Sequence, residues 1–216
     1  MFKLSSSKLF EQHQNYIKYI LNNMKAIIAL ALLFISSAVA APVCQQISGQ
    51  QGYWITVNGV NYPCATTTRY WDNFKGACGC GFGAGNGHPF PWQYQIITAA
   101  ASNSLFGEGE WCGDGCGKCF AVTPTGGYVD GQGQAPPNLQ SQVLMTTNLC
   151  PKQYNMQWCN SPNDYGYMAH FDLLDYNMNG LITSLGWDNI EVYYQHIPCP
   201  GPQAFNWGQC ECAYFY

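Results

Sequence analysis

Asp72 and Asp172 are the side chains on which chemistry could be built. Asp72 stands in Thr66-Thr67-Thr68-Arg69-Tyr70-Trp71-Asp72-Asn73-Phe74-Lys75-Gly76-Ala77-Cys78-Gly79-Cys80-Gly81, a run of rings, charges and cysteines that turns to glycine. β-Branched threonines leading into Tyr70 and Trp71 predict a strand or strand end, and the Gly/Cys tail predicts a tight, cross-linked loop. Asp72 then sits at the mouth of a strand beside flat apolar rings. Asp172 lies in His170-Phe171-Asp172-Leu173-Leu174, where apolar neighbours disfavour the charged form and should keep it protonated, as a general acid. Arg69 and Lys75 favour the ionised form of Asp72, as a general base. Carboxyl groups pushed in opposite directions across a groove are the arrangement for glycoside hydrolysis. A gap of roughly 6.5–9.5 Å would admit a water beneath the sugar and invert the anomeric centre. The plain alternatives are a turn cap for Asp72 and a solvated strand end for Asp172.

The two carboxyls are 100 positions apart, so only the fold can bring them together. Tyr53–Val57 reads as a short strand ending at a turn around Asn58-Gly59. Phe82–Pro89 is a glycine-rich loop without the strand, helix and Lys-Ser/Thr context of a phosphate cradle. Pro91–Leu105, with Ile96, Ile97, Ala99, Ala100, Ala101 and Leu105, predicts a helix stopped near Gly107. Short strands are predicted at Lys118–Thr123, Gln142–Asn148, Tyr167–Leu173, Asn189–Gln195 and Cys212–Tyr216. Short strands between turn clusters, with one helix, predict a small closed β-barrel.

Residues 1–40 stand apart. Lys25, the apolar run Ala26–Ile35 and Ser36-Ser37-Ala38-Val39-Ala40 have the charged start, apolar stretch and small-x-small site of a secretory signal over 24–40. The run is shorter than the roughly twenty residues of a membrane anchor. The polar stretch before Met24 is an upstream start or an extension. Residues 41–216 are expected to form one domain. All twelve cysteines lie there, which in a secreted chain predicts disulfides whose pairing sequence leaves open. Zinc at Cys112, Cys116 and Cys119 is the rival, disfavoured by secretion and by the lack of a nearby histidine. Four cations against eleven acids leave residues 41–216 with seven negative charges, which argues against nucleic acid and anionic membranes as partners. All seven tryptophans are in this part, and dense aromatics with few charges fit a neutral polysaccharide, or a plain core. No Asn-x-Ser/Thr acceptor is present.

Thr68-Arg69-Tyr70-Trp71-Asp72, then Trp111-Cys112 with Cys119, then His170-Phe171-Asp172 resemble, in order, the signature blocks of glycoside hydrolase family 45, the small inverting endoglucanases. Gly76-Ala77-Cys78-Gly79-Cys80-Gly81 and Thr147-Asn148-Leu149-Cys150-Pro151 resemble its animal, mollusc-like branch. The resemblance runs from Cys64 to Cys212. It implies a mainly β fold, a six-stranded double-psi β-barrel with short helices, long disulfide-stapled loops and an open groove. It also implies a secreted, monomeric enzyme that cleaves internal bonds of β-1,4-glucan without metal or cofactor. By position, Asp172 matches the general acid and Asp72 the general base. Thr68, Tyr70, Trp71, Lys75, Trp111 and His170 fall among the substrate-contacting positions, His170 also supporting the acid. Asn148 falls where some branches place an amide that assists or replaces the base; its plain reading is a strand-end turn former. Asp164 approximates an assisting acid of the fungal branch, with spacing off by one; its plain reading is a helix cap or loop residue. Asn73-Phe74 replace two adjacent cysteines of fungal members, so their disulfide map cannot be copied. His-Phe-Asp is shared with expansins, which makes a non-hydrolytic, expansin-like or barwin-like glucan-binding protein the alternative.

Overall fold

The computed structural model describes residues 44–83 and 87–214, together with Lys18. The expected signal at 24–40 lies outside the described residues. Eight strands follow in chain order: β1 Gln45–Gln46, β2 Tyr53–Val57, β3 Val60–Tyr70, β4 Ile97–Ala101, β5 Cys119–Tyr128, β6 Gln142–Leu149, β7 Ala169–Leu174 and β8 Ile190–Ile197. Hydrogen bonding runs β3-β7-β4-β6-β5-β8, and β8 pairs back onto β3, closing a ring of six strands. The pairs β3–β7 and β4–β6 are parallel and the other ring pairs antiparallel. Closure removes the sheet edges that would otherwise invite pairing with another chain. This is the small closed barrel that the strand pattern predicts, with the six strands of the double-psi β-barrel that the family resemblance implies. Val57 and Val60 are partners across Asn58 (φ 52°) and Gly59 (φ 80°), a two-residue hairpin of the kind Asn-Gly favours.

The barrel is filled from its strands. Ala65, Ile97, Ala99, Ala101, Phe120, Val122, Leu144, Met145, Phe171 and Leu173 are buried and belong to one core cluster. All five residues of β4 are buried, which explains the first correction. Pro91–Leu105 is not a helix but a 3₁₀ turn at Pro91–Tyr94, then β4, then one helical turn at Asn103–Phe106. A short apolar run fits either period. Here β6 and β7 flank it on both sides, and small alanines fit a strand covered on both faces. The second correction is at the C-terminus: Glu211–Tyr214 is a 3₁₀ turn rather than a strand, because Cys210 and Cys212 are stapled to loops and not to a ladder. Pro124, where β5 was expected to stop, instead sits at a register shift inside it, a place in a sheet where proline is tolerated.

The cysteines pair as Cys44–Cys64, Cys78–Cys116, Cys80–Cys210, Cys112–Cys212, Cys119–Cys199 and Cys150–Cys159. The three considered for zinc each bond a different partner.

Candidate active site

The register of β3 against β7 builds the site. Thr66 stands opposite His170, Thr68 opposite Asp172 and Tyr70 opposite Leu174. Alternation along a strand puts Thr66, Thr68 and Tyr70 on one face, and likewise His170 and Asp172. Thr68 Oγ1 donates to Asp172 Oδ1 at 2.6 Å. Its only proton is then used, so it accepts from His170 Nε2 at 2.9 Å. That tautomer leaves His170 Nδ1 to accept from Thr66 Oγ1 at 2.8 Å, and Thr66 accepts from Asn163 Nδ2 at 2.9 Å. Asn163 is held by the backbone N–H groups of Tyr165 and Tyr167. Every bond in this chain points its proton toward Asp172. Burial pushes His170 down to about 3, so it stays neutral. Its complete burial corrects its placement among the substrate contacts: it orients Thr68 and touches no groove.

Asp172 is largely buried, and burial is the main reason its carboxyl is pushed up to about 6. The Thr68 hydroxyl pulls the other way, and the charge of Asp72 adds to the rise. Asp172 therefore lies within reach of the Asp72 charge. Asp72 is exposed, two residues past the end of β3. Partial loss of hydration raises it, against the backbone N–H of Phe74, which donates to Oδ1 at 3.0 Å, and its own N–H. The cations expected to keep it ionised are engaged elsewhere. Arg69 pairs with Asp188 at 2.7 Å and Asp175 at 3.5 Å, and Lys75 pairs with Glu211. Exposure and backbone donors, not Arg69 and Lys75, sustain the ionised form. Tyr70 is held protonated by burial, then by the charge of Asp72; the Asn148 amide opposes this and Asp172 adds to it. Its hydroxyl thus feels both carboxyls.

Asn148, near the end of β6, completes the centre. Ala100 of β4 is paired on one side with Asp172 and on the other with Asn148. Asn148 Oδ1 accepts from Ala77 N at 2.7 Å and Leu149 N at 2.9 Å, while Nδ2 donates to the Tyr70 hydroxyl at 3.4 Å. The amide oxygen is occupied by backbone donors, so the group it offers the site is N–H. A cavity of about 330 Å³ opens beside it, lined by Lys75, Glu110, Trp111, Asn148, Gln153 and Tyr154 among others. Trp71 and Trp111 are half exposed and Tyr154 almost fully, leaving flat apolar faces free. Asp164 lies in an exposed loop, its backbone N–H bonded to Gln157 O, and is not among the groups that shift Asp172.

Sequence reading missed Asn163, Tyr94 and Tyr176, and used Thr66 only as a strand former. The period-two spacing of Thr66, Thr68 and Tyr70 against His170 and Asp172 was the available signal. Nothing local marked Tyr94, which is raised by burial and by Asp72. Among the described residues, Cys150, Cys159 and His170 cluster as possible metal ligands. The cysteines are bonded to each other and both ring nitrogens are in use, so these donors do not fit a metal.

Residues 65–207 match the family described as EXPB1-like domain 1. The endoglucanase of Mytilus edulis is 41% identical over 168 residues, 70% of this chain and 91% of that protein. The crystal structure of GH45 endoglucanase EG27II in complex with cellobiose superposes with a TM-score of 0.69 at 44% identity, covering 80% of this chain and 98% of that one. Expansin-A7 of Arabidopsis thaliana is 32% identical over 111 residues, only 36% of its length.

Proposed function

Because the chain belongs to glycoside hydrolase family 45, we propose that it is a secreted endo-β-1,4-glucanase that inverts the anomeric centre, with Asp172 as acid and Asp72 as base. One observation carries the assignment of roles. A largely buried, hydrogen-bonded carboxyl is raised to about 6, in part by the charge of Asp72, while Asp72 itself is exposed and held by backbone N–H groups. In the reaction Asp172 gives its proton to the glycosidic oxygen as the bond breaks. Asp72 takes a proton from the water that attacks the opposite face. Neutral His170 serves this well: an imidazolium two bonds from Asp172 would favour the carboxylate and strip the acid of its proton. Asn148 donates from its amide toward the Tyr70 hydroxyl, which supports a role beside the base rather than in its place. Trp71, Trp111 and Thr68 are proposed to meet the glucan, and Lys75 lines the cavity while tied to Glu211. Export by the 24–40 signal fits a chain with six disulfides, which persist in oxidising compartments. No described helix is long and apolar enough to cross a membrane.

Reducing ends released from carboxymethylcellulose test the reading. Asp172→Asn and Asp72→Asn should each lower kcat by at least about a thousandfold with the circular dichroism spectrum unchanged. NMR of the first product should show the α-anomer. Near-normal activity of Asp72→Asn would move the base to Asn148. Binding of glucan without new reducing ends in the wild type would favour an expansin-like or barwin-like protein.

A further inference from the structure

Strand β4 gives the groove a direction. Ala100 lies between Asp172 and Asn148, and the next residue, Ala101, pairs with Leu149. Past Leu149 lies the cavity with Trp111 and Tyr154. The other end of β4, toward Ile97, has its own rings. Tyr94 closes the 3₁₀ turn just before β4, and Tyr176 follows two residues after β7. The parallel register pairs Thr68 with Asp172 and Tyr70 with Leu174, and just past the ends of these strands Asp72 and Tyr176 both lie close enough to Tyr94 to act on its hydroxyl. The Tyr94 and Tyr176 rings meet edge to face, centroids 5.1 Å apart at 72°. Tyr94 is the partly buried member and Tyr176 is 53% exposed.

The turn that presents Tyr176 is held against its own preferences. Asn177 and Met178 both have left-handed backbones, φ 46° and 59°, a region that L-residues such as methionine rarely occupy. Asp175 anchors it. Its buried carboxylate accepts from Ile182 N at 3.3 Å, from Thr183 N at 3.0 Å and from the Thr183 hydroxyl, with Arg69 at 3.5 Å. Its own N–H donates to Tyr70 O at 2.9 Å, tying the turn to the strand that leads to Asp72. A β-carbon at Gly180 would fall 2.5 Å from Asp175 Oδ1, so the wrap is tight. An exposed ring on a strained, anchored turn beside a reactive carboxylate is a built surface.

We propose that Tyr176, braced by Tyr94, is a glucosyl-binding wall on the Asp72 side of the bond that is cleaved, opposite the Trp111 and Tyr154 cavity. A pyranose face offers C–H groups to an aromatic ring, and the rings are uncharged, which suits a neutral sugar. This rests on the endoglucanase reading. Cellohexaose labelled with ¹⁸O at its reducing end reads the wall through the position of first cleavage. Tyr176→Ala should raise KM about fivefold or more, with kcat within about twofold, and shift cleavage toward one end of the oligomer. Trp111→Ala should shift it toward the other end. Tyr176→Phe should keep the wild-type pattern, and Tyr176→Leu, which preserves apolar bulk without the flat face, should behave as Ala. An unchanged KM and pattern in Tyr176→Ala, or a shift in the same direction as Trp111→Ala, would overturn the proposal. Calorimetric titration of cellohexaose into Asp172→Asn and into the Asp172→Asn, Tyr176→Ala double variant needs no turnover. A fivefold weaker affinity in the double variant is expected, and equal affinity overturns the wall. A wild type that binds but never cleaves would sink the hydrolase reading and leave the wall standing.

Discussion

The proton of Asp172 is the most consequential single atom of the site. Folded, the carboxyl keeps it to about pH 6; unfolded, an aspartate loses it near pH 4. Between these values the folded state binds more protons, so each pH unit lowers stability by about 1.4 kcal/mol. Asparagine does not titrate. The stability of Asp172→Asn relative to wild type should therefore rise by about 3 kcal/mol from pH 3.5 to pH 7 in urea melts. A constant difference would mean that the carboxyl titrates normally and that burial does not govern it. The same group should set the alkaline limb of kcat/KM near pH 6, with the acid limb above the ordinary aspartate value because Asp72 is itself raised. Sequence disclosed half of this. The apolar neighbours of Asp172 pointed to a raised carboxyl, and burial does raise it. Arg69 and Lys75 suggested a cationic setting for Asp72, and that failed because their partners Asp188, Asp175 and Glu211 are more than a hundred positions away. Adjacency along a chain does not say where a long side chain points.

Among the elements, the loop from Trp71 to Gly81 has the hardest task, since it must cross from β3 to the end of β6 with Asp72 on it. Gly76 permits the crossing. A β-carbon there would fall 2.4 Å from Thr147 O and 3.1 Å from Asn148 Cβ. Gly76→Ala should lift the loop from β6, break the Ala77–Asn148 hydrogen bond, cost about 2–3 kcal/mol and lower kcat at least tenfold. Gly59→Ala provides the contrast: φ is +80° but the β-carbon would meet nothing within 4 Å. It should cost about 1–2 kcal/mol of backbone strain with kcat unchanged. Equal losses of kcat would disprove the special role of Gly76. Strands were legible where alternation met turn residues, as in β2, β6, β7 and β8. β4 was not, because Ile96–Ala101 carries no polar face and only its neighbours decide its period. The Tyr94 and Tyr176 wall was invisible for a related reason: it exists only through the register of β3, β4 and β7.

For the whole molecule, twelve cysteines announced a stapled fold but could not say what was stapled to what. The pairing has a logic. Cys78–Cys116, Cys80–Cys210 and Cys112–Cys212 bind the loop after Asp72, the segment around Trp111 and the C-terminal turn into one body. Both sides of the groove thus hang on the same cross-links. Cys80–Cys210 closes a separation of 130 residues and Cys150–Cys159 only 9. If the bonds act by restricting the unfolded chain, the loop that counts is the one the other staples leave open: Cys78–Cys116 and Cys112–Cys212 already hold residues 80 and 210 a short path apart, so each bond contributes about 2.6 kcal/mol. Urea melts of the paired Cys→Ala variants should therefore show costs within about 1 kcal/mol of each other. Function should separate them, since Cys80–Cys210 also fixes the loop that carries Asp72. Its loss should weaken cleavage of carboxymethylcellulose at temperatures well below the melt. The Cys150/Cys159 variant should remain active until it unfolds. If the short staple proved the costlier, its packing against Trp158 beneath His170, and not chain entropy, would be what it contributes, and the acid's support would extend one layer further than the hydrogen-bonded chain to Asn163.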